Sequence, residues 1–178
     1  MESKVFFSDL RTGIGNNIFA KLERLLDELK FDRFIKKDSL VAVKLHFGER
    51  GNQGYVSPVL VRLIVDKIKE AGAIPFLTDG GTLYFGTRSN AARHIETAIL
   101  NGFAPSVTGA PIVIADGLLG DTSEAIQVGL KHFKEAHIGR EVLKADQLVV
   151  LTHFKLHELT GFGGALKNVG MGLAGRAG

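Results

Sequence analysis

The chain has 178 residues, 45% hydrophobic and 23% charged, which suits one globular domain with a substantial core. It contains no cysteine, so disulfides, thiolate metal sites and a cysteine nucleophile are excluded within it. Its net charge of +3 is interleaved rather than gathered into the basic face of a nucleic-acid binder, and no apolar run nears the ~20 residues that cross a bilayer.

In chain order, Val5 to Phe7 is the first of five short apolar runs expected as buried strands. Asn17 to Lys30 predicts a helix with Ile18, Leu22, Leu25, Leu26 and Leu29 on one face. Leu40 to Phe47 is the second run. Ser57 to Ala71 predicts a helix opened by a Ser N-cap and Pro58, carrying Leu60, Ile64 and Ile68, and stopped at Gly72. Ile74 to Thr78 is the third run, followed by a helix from Asn90 to Asn101 that closes at Gly102. Pro111 to Ala115 is the fourth. Ile126, Val128 and Leu130 alternate ahead of Phe133, so residues 124–138 predict a hairpin rather than a helix. A short helix over Gly139 to Ala145 then leads into the fifth run, Leu148 to Thr152.

Alternating β and α elements predict an α/β fold of three layers, α/β/α, with a mostly parallel sheet and one β-hairpin insertion. No repeat or linker divides the chain, so residues 1–178 are expected to form a single domain. The sequence stops at Gly178 inside a glycine-rich stretch, which reads as the N-terminal part of a longer protein. The N-terminus MESKVFFSDL lacks the apolar core of a signal peptide, and the cytoplasm is the expected compartment.

Ligands of such sheets bind beyond the carboxyl ends of the strands. The second run carries Lys44 and His46 and is followed by GERGNQG at 48–54. The third opens into Asp79-Gly80-Gly81-Thr82, the fourth into Asp116-Gly117. The fifth ends at Thr152-His153 and is followed by Lys155, His157 and a loop holding Gly161, Gly163 and Gly164. Polar and glycine residues thus gather where one cleft is expected. Asp116-Gly117 reads as a turn, and Asp79-Gly80-Gly81-Thr82 equally as a turn or an anion cradle. His46 reads as a polar core residue, a solvent-facing one or a functional one; His94, His132 and His137 read as structural. His153 and His157 could present two imidazoles to one metal if their segment is helical, with Glu158, Glu49 or Asp79 as a third ligand. In TGIGNN the third glycine position of a nucleotide fingerprint is Ile18, and no GxxxxGK[ST] loop occurs, which disfavours classical NAD or ATP binding.

VAVKLHFGE at 41–49, FLTDGGTLYFGTR at 76–88, IADGLLG at 114–120 and THFKLHELTGFGGALKNVGMG at 152–172 together resemble domain-of-unknown-function family 362. That resemblance implies an iron–sulfur-centre protein. In many members a ferredoxin-like segment with two cysteine-rich motifs follows the GMGLAGRAG-type stretch, so [4Fe-4S] clusters are implied for the intact protein and not for this cysteine-free chain. The closing motif is more distantly similar to nickel-pincer lactate racemases, whose pattern H-x3-G-[FY]-x-G-x2-K falls here on His157, Gly161, Phe162, Gly164 and Lys167. The similarity implies an acid/base role for His157 and a cofactor tether at Lys167. Those racemases place a second catalytic histidine after their Gly-Thr turn, where this chain has Leu83.

Three functions are therefore expected as alternatives. In the first, a redox-associated protein binds a small molecule or metal centre at the sheet's carboxyl edge, coupled to a ferredoxin-like segment or partner. The second is a non-redox enzyme moving a proton beside a carbonyl, with His157 as base and Lys167 stabilising the enolate. The third is a non-catalytic binding module. The expected catalytic residues are His157, Lys167 and His46. The expected ligand-binding residues are Lys44, Asp79, Gly80, Gly81, Thr82, Gly161, Gly163 and Gly164, and the expected metal ligands are His153 and His157. A small-molecule ligand is expected as partner, and neither nucleic acid nor a membrane.

Overall fold

A computed structural model describes residues 4–177. Its elements run α1 (Ile18–Leu29), β1 (Leu40–Lys44), α2 (Pro58–Glu70), β2 (Ile74–Asp79), α3 (Ala91–Ala98), α4 (Pro105–Thr108) and β3 (Ile112–Ile114). There follow β4 (Ser123–Gln127), β5 (Glu135–Gly139), α5 (Arg140–Leu143), β6 (Gln147–Val150), β7 (Lys155–His157), β8 (Gly161–Gly163) and α6 (Ala165–Gly172). The fold is α/β, as the alternation of elements predicts.

The central sheet has the order β3-β2-β1-β6, and its strands are parallel throughout. Alternation along β1 sends Val41 and Val43 into one core with Leu26 of α1, Val61 and Ile64 of α2 and Ala98 of α3. Ala42 faces the other core, with Phe76, Ala115, Val142 of α5 and Leu173 at the end of α6. Helices therefore cover both faces. From β1 to β3 the chain moves steadily across the sheet. After the β4–β5 hairpin and α5 it returns to the far side of β1. The direction reverses between β1 and β6, and that switch point opens a crevice at the carboxyl edge.

Helix ends follow their local chemistry. The Asn17 side chain accepts from the Ala20 N–H, and Asn90 accepts from Arg93 N–H. Past α3 a π-turn over Ile99–Phe103 breaks at Gly102, where φ is 90°. Pro58 opens α2, but Ser57 makes no side-chain cap there.

Three expectations are corrected. Val5 and Phe7 are 90% and 87% exposed and belong to no strand, since an apolar run without a pairing edge has nothing to bury it. The second run leaves the sheet after Lys44, although Leu45 and Phe47 stay fully buried in the loop beyond it. Among the described residues the fold carries two hairpins rather than one: besides β4–β5, antiparallel β7 and β8 pair Lys155 with Gly163 and His157 with Gly161. The three residues between them are followed by Gly161 at φ 73°, a positive-φ position that lets so short a loop close. Gly178, where a fragment boundary is expected, lies outside the described residues. Among the described residues no helix is long and apolar enough to cross a membrane.

Candidate functional site

The carboxyl ends of β1 and β2 bring a buried ion pair to the crevice. Lys44, fully buried, donates from Nζ to Asp79 Oδ1 at 2.9 Å, Asn168 Oδ1 at 2.6 Å and Leu45 O at 3.1 Å. All three ammonium protons are thereby engaged. Asp79 Oδ2 lies 3.5 Å from Arg88 and 3.5 Å from His94 Nε2. Burial alone would raise the Asp79 pKa, but the Lys44 charge and the neighbouring His94 hold its carboxyl well below the usual range. His94 is sealed on α3 with its ring edge-on to Phe47, centroids 5.6 Å apart.

The loop after β2 resolves the question of turn or cradle. Gly80 N–H donates to Asp79 Oδ1 at 3.0 Å, and Gly81 N–H donates to both oxygens of Asp116 at 2.9 and 3.0 Å. Thr82 N–H donates to Arg88 O. These amides are engaged within the protein, so this stretch forms a wall rather than an anion cradle. Its glycines matter for approach: a Cβ on Gly80 would lie 2.8 Å from the Gly172 carbonyl oxygen. A Cβ on Gly172 would meet Lys44 Cε at 2.8 Å and Asp79 Oδ1 at 3.0 Å. The end of α6 thus lies directly on the ion pair and seals it. Asp116, with burial as the main cause, has its carboxyl raised above the ordinary value.

After β1 the chain bends through His46, whose Nδ1 accepts from the Gly48 N–H at 2.8 Å. Burial pushes its pKa down to about 4, so the ring is neutral at pH 7 with its proton on Nε2. Glu49 accepts from Arg88 Nε at 2.7 Å and from the Tyr84 hydroxyl at 2.9 Å. Burial would raise the Glu49 pKa, but the Arg88 charge lowers it overall.

Between these groups and the β7–β8 and α6 segment lies a cleft of about 210 Å³. Five cationic side chains, Lys44, Arg88, Lys155, Lys167 and Arg176, line it against one carboxylate, Asp79. Asp79 answers Lys44, and Glu49 answers Arg88. The amines of Lys155 and Lys167 meet no acceptor among the described residues, and Arg176 meets only the backbone oxygens of Thr82 and Ser89. Lys167 is half-buried; desolvation, then the Lys155 and Arg88 charges, lower its pKa.

The fold gathers most of the expected residues on this one surface. Lys44, His46, Asp79, Gly80, Gly81, Thr82, His153, Gly163, Gly164 and Lys167 all line the cleft. His157 and Gly161 do not. His157 Nδ1 instead accepts from the Leu159 and Thr160 N–H groups at 3.2 and 3.3 Å, which fixes the β7–β8 turn. His157 lies in strand β7 and His153 in the irregular segment before it, without the helical turn that would align them on one metal. Among the described residues no group of three or more His, Asp or Glu is placed to hold a metal ion.

Sequence reasoning missed Arg88, Asn168, Gly172 and Arg176. Arg88 sits at the end of the quoted motif 76–88, and Asn168 directly follows Lys167, so motif membership was the available signal. His94, read as structural, is fully buried on α3 against Phe47 and does not line the cleft. A cysteine-ligated iron–sulfur cluster does not fit these residues, since the chain has no cysteine.

The profile of the family described as Domain of unknown function (DUF362) matches residues 41–178. No curated protein and no solved structure matches the chain.

Proposed function

The chain belongs to the DUF362 family, whose description names no activity, and we propose that its cleft binds a small anionic molecule such as a carboxylate or phosphate ester. One observation carries this reading: with Lys44 and Arg88 matched by Asp79 and Glu49, the cations of Lys155, Lys167 and Arg176 face the cleft without a carboxylate. Unmatched cations around a concave, partly desolvated site select a ligand of opposite charge. The site also stands at the reversal of strand order, the usual place for ligands in open α/β sheets.

The redox role implied by the family resemblance is part of the proposal. A ferredoxin-like segment or partner outside these residues would exchange electrons with the ligand held here, in a cytoplasmic setting. Calorimetric titration with inorganic phosphate and with acetate at constant ionic strength tests the binding step. Saturable heat that disappears in Lys155→Gln/Arg176→Gln supports it; equal heats in that variant, or none in the wild type, sink it.

A second reading, proton transfer beside a carbonyl, is favoured by two cleft groups suited to it. His46 is neutral, and Lys167 has a lowered pKa. In this reading His46 or Lys167 exchanges the proton, because His157 Nδ1 is held in the β7–β8 turn.

A further inference from the structure

The three lysines of the cleft are chemically unlike one another. Lys44 donates to three oxygens and is buried with its counter-ion, so its Nζ is fully engaged within the protein. Lys155 is exposed on β7 and solvated as a surface lysine is. Lys167 is half-buried, lines the cleft and meets no acceptor among the described residues. It also stands in the first turn of α6, where the positive end of the helix dipole disfavours an ammonium. An amine becomes a nucleophile when it is desolvated or set beside other cations, and Lys167 meets both conditions.

We infer that Lys167 is a carbonyl-reactive amine that forms a Schiff base with a small anion bearing an aldehyde or keto group, a 2-oxo acid being the simplest. This rests on the anion-binding reading of the cleft and adds a reaction to it. The neighbouring Lys155 and Arg176 hold the anionic group, while burial first, and then the Lys155 and Arg88 charges, lower the pKa of Lys167. The Nζ atom bonds to the carbonyl carbon, and the carbon–oxygen double bond is lost. Counted from the ammonium, two of its three protons leave with the oxygen as water and the third remains on the iminium nitrogen. No oxidant or reductant is consumed. His46, neutral and protonated on Nε2, is the cleft's candidate proton carrier for the departing oxygen.

Glyoxylate with sodium cyanoborohydride reduces any imine to a stable carboxymethyl-lysine, which peptide mapping by mass spectrometry locates in the full chain. The expected result is label on Lys167 well ahead of Lys131, an exposed lysine between β4 and β5. That label is lost in Lys167→Arg and kept in Lys144→Arg, at an exposed lysine outside the cleft, with thermal melts confirming that both variants fold. Labelling of Lys167 no faster than Lys131 in the wild type overturns the inference, and needs no variant. The phosphate and acetate titration separates the two ideas. Saturable anion binding without selective label removes the Schiff base and leaves the binding reading. Neither signal removes both, and selective label without anion binding overturns the assigned ligand class.

Discussion

Lys44 Nζ and Asp79 Oδ1 sit 2.9 Å apart at the carboxyl ends of adjacent parallel strands, and both side chains are sealed from water. Desolvation makes a buried pair a poor net source of stability but a costly one to break. Lys44→Met leaves Asp79 with the Gly80 N–H and, at longer range, Arg88 and His94, and is expected to cost about 3–5 kcal/mol. Lys44→Met/Asp79→Asn is expected to cost less than the sum of the two single changes by about 0.5–3 kcal/mol. Urea unfolding of the four proteins measures the coupling, and strict additivity would show the pair to be energetically irrelevant. Because the folded Asp79 pKa is depressed, its contribution is complete above the ordinary aspartate value and is lost as pH falls through the strongly acid range.

His46 gives a separate window. Its folded pKa is lowered from 6.5 to about 4, so the unfolded chain binds the extra proton first as pH drops. Its contribution is therefore intact above pH 6.5 and erodes toward pH 4, by an amount on the order of 3 kcal/mol. A pH series of denaturant midpoints should show less slope across that window in His46→Gln than in the wild type. An unchanged slope would mean that the imidazole titrates normally.

Two glycines of α6 should respond in opposite directions to the same change. Gly170→Ala adds a methyl into open space and should stabilise by up to about 1 kcal/mol through helix propensity. Gly172→Ala drives a methyl against Lys44 and Asp79, neither of which can move aside, and should destabilise by roughly 1–3 kcal/mol. Thermal melts of the two variants decide it, and a Gly172→Ala protein as stable as Gly170→Ala would contradict the close approach of α6.

Arg88 bridges Glu49, Tyr84 and Asp79 with a planar fork that lysine lacks. Arg88→Lys is expected to lose about 1–3 kcal/mol of stability despite conserving charge, because buried acceptors go unmatched. It should also weaken phosphate binding by reshaping the wall formed by Tyr84. Calorimetry and a melt on one preparation test both effects.

The sheet was legible because continuous Val, Ile and Leu runs bounded by Gly, Asp or Pro have few other uses. Leu40 to Lys44 and Ile74 to Asp79 are such runs. Val5 to Phe7 has the same composition and no place in the sheet, for pairing is a property of the partner edge and not of the run. The site was legible as a meeting of strand-end loops, since the second apolar run carries Lys44 while Asp79 and His153 directly follow the third and fifth. What stayed hidden was how side chains from helices and loops cross the crevice. Asn168 reaches Lys44 from 124 residues away, and nothing local to either residue announces that bond. The β7–β8 hairpin was hidden too, because Thr-Gly-Phe-Gly reads as loop until Gly161 is seen as the positive-φ residue of a short turn.

The placement of β6 beside β1 has a consequence for how the protein is made. Leu40 N–H bonds Asp146 across a separation of 106 residues, so the edge of β1 stays bare while most of the chain is synthesised. Strands β1 to β3 and their helices can assemble first from nearer contacts, whereas closing so long a loop comes late. Only after β6 docks can the residues that follow it, with Lys155, Lys167 and Arg176, be laid over Lys44 and Asp79. During that interval a buried-type lysine and aspartate stand in water beside an open strand edge, the state in which a nascent chain is most exposed to mispairing.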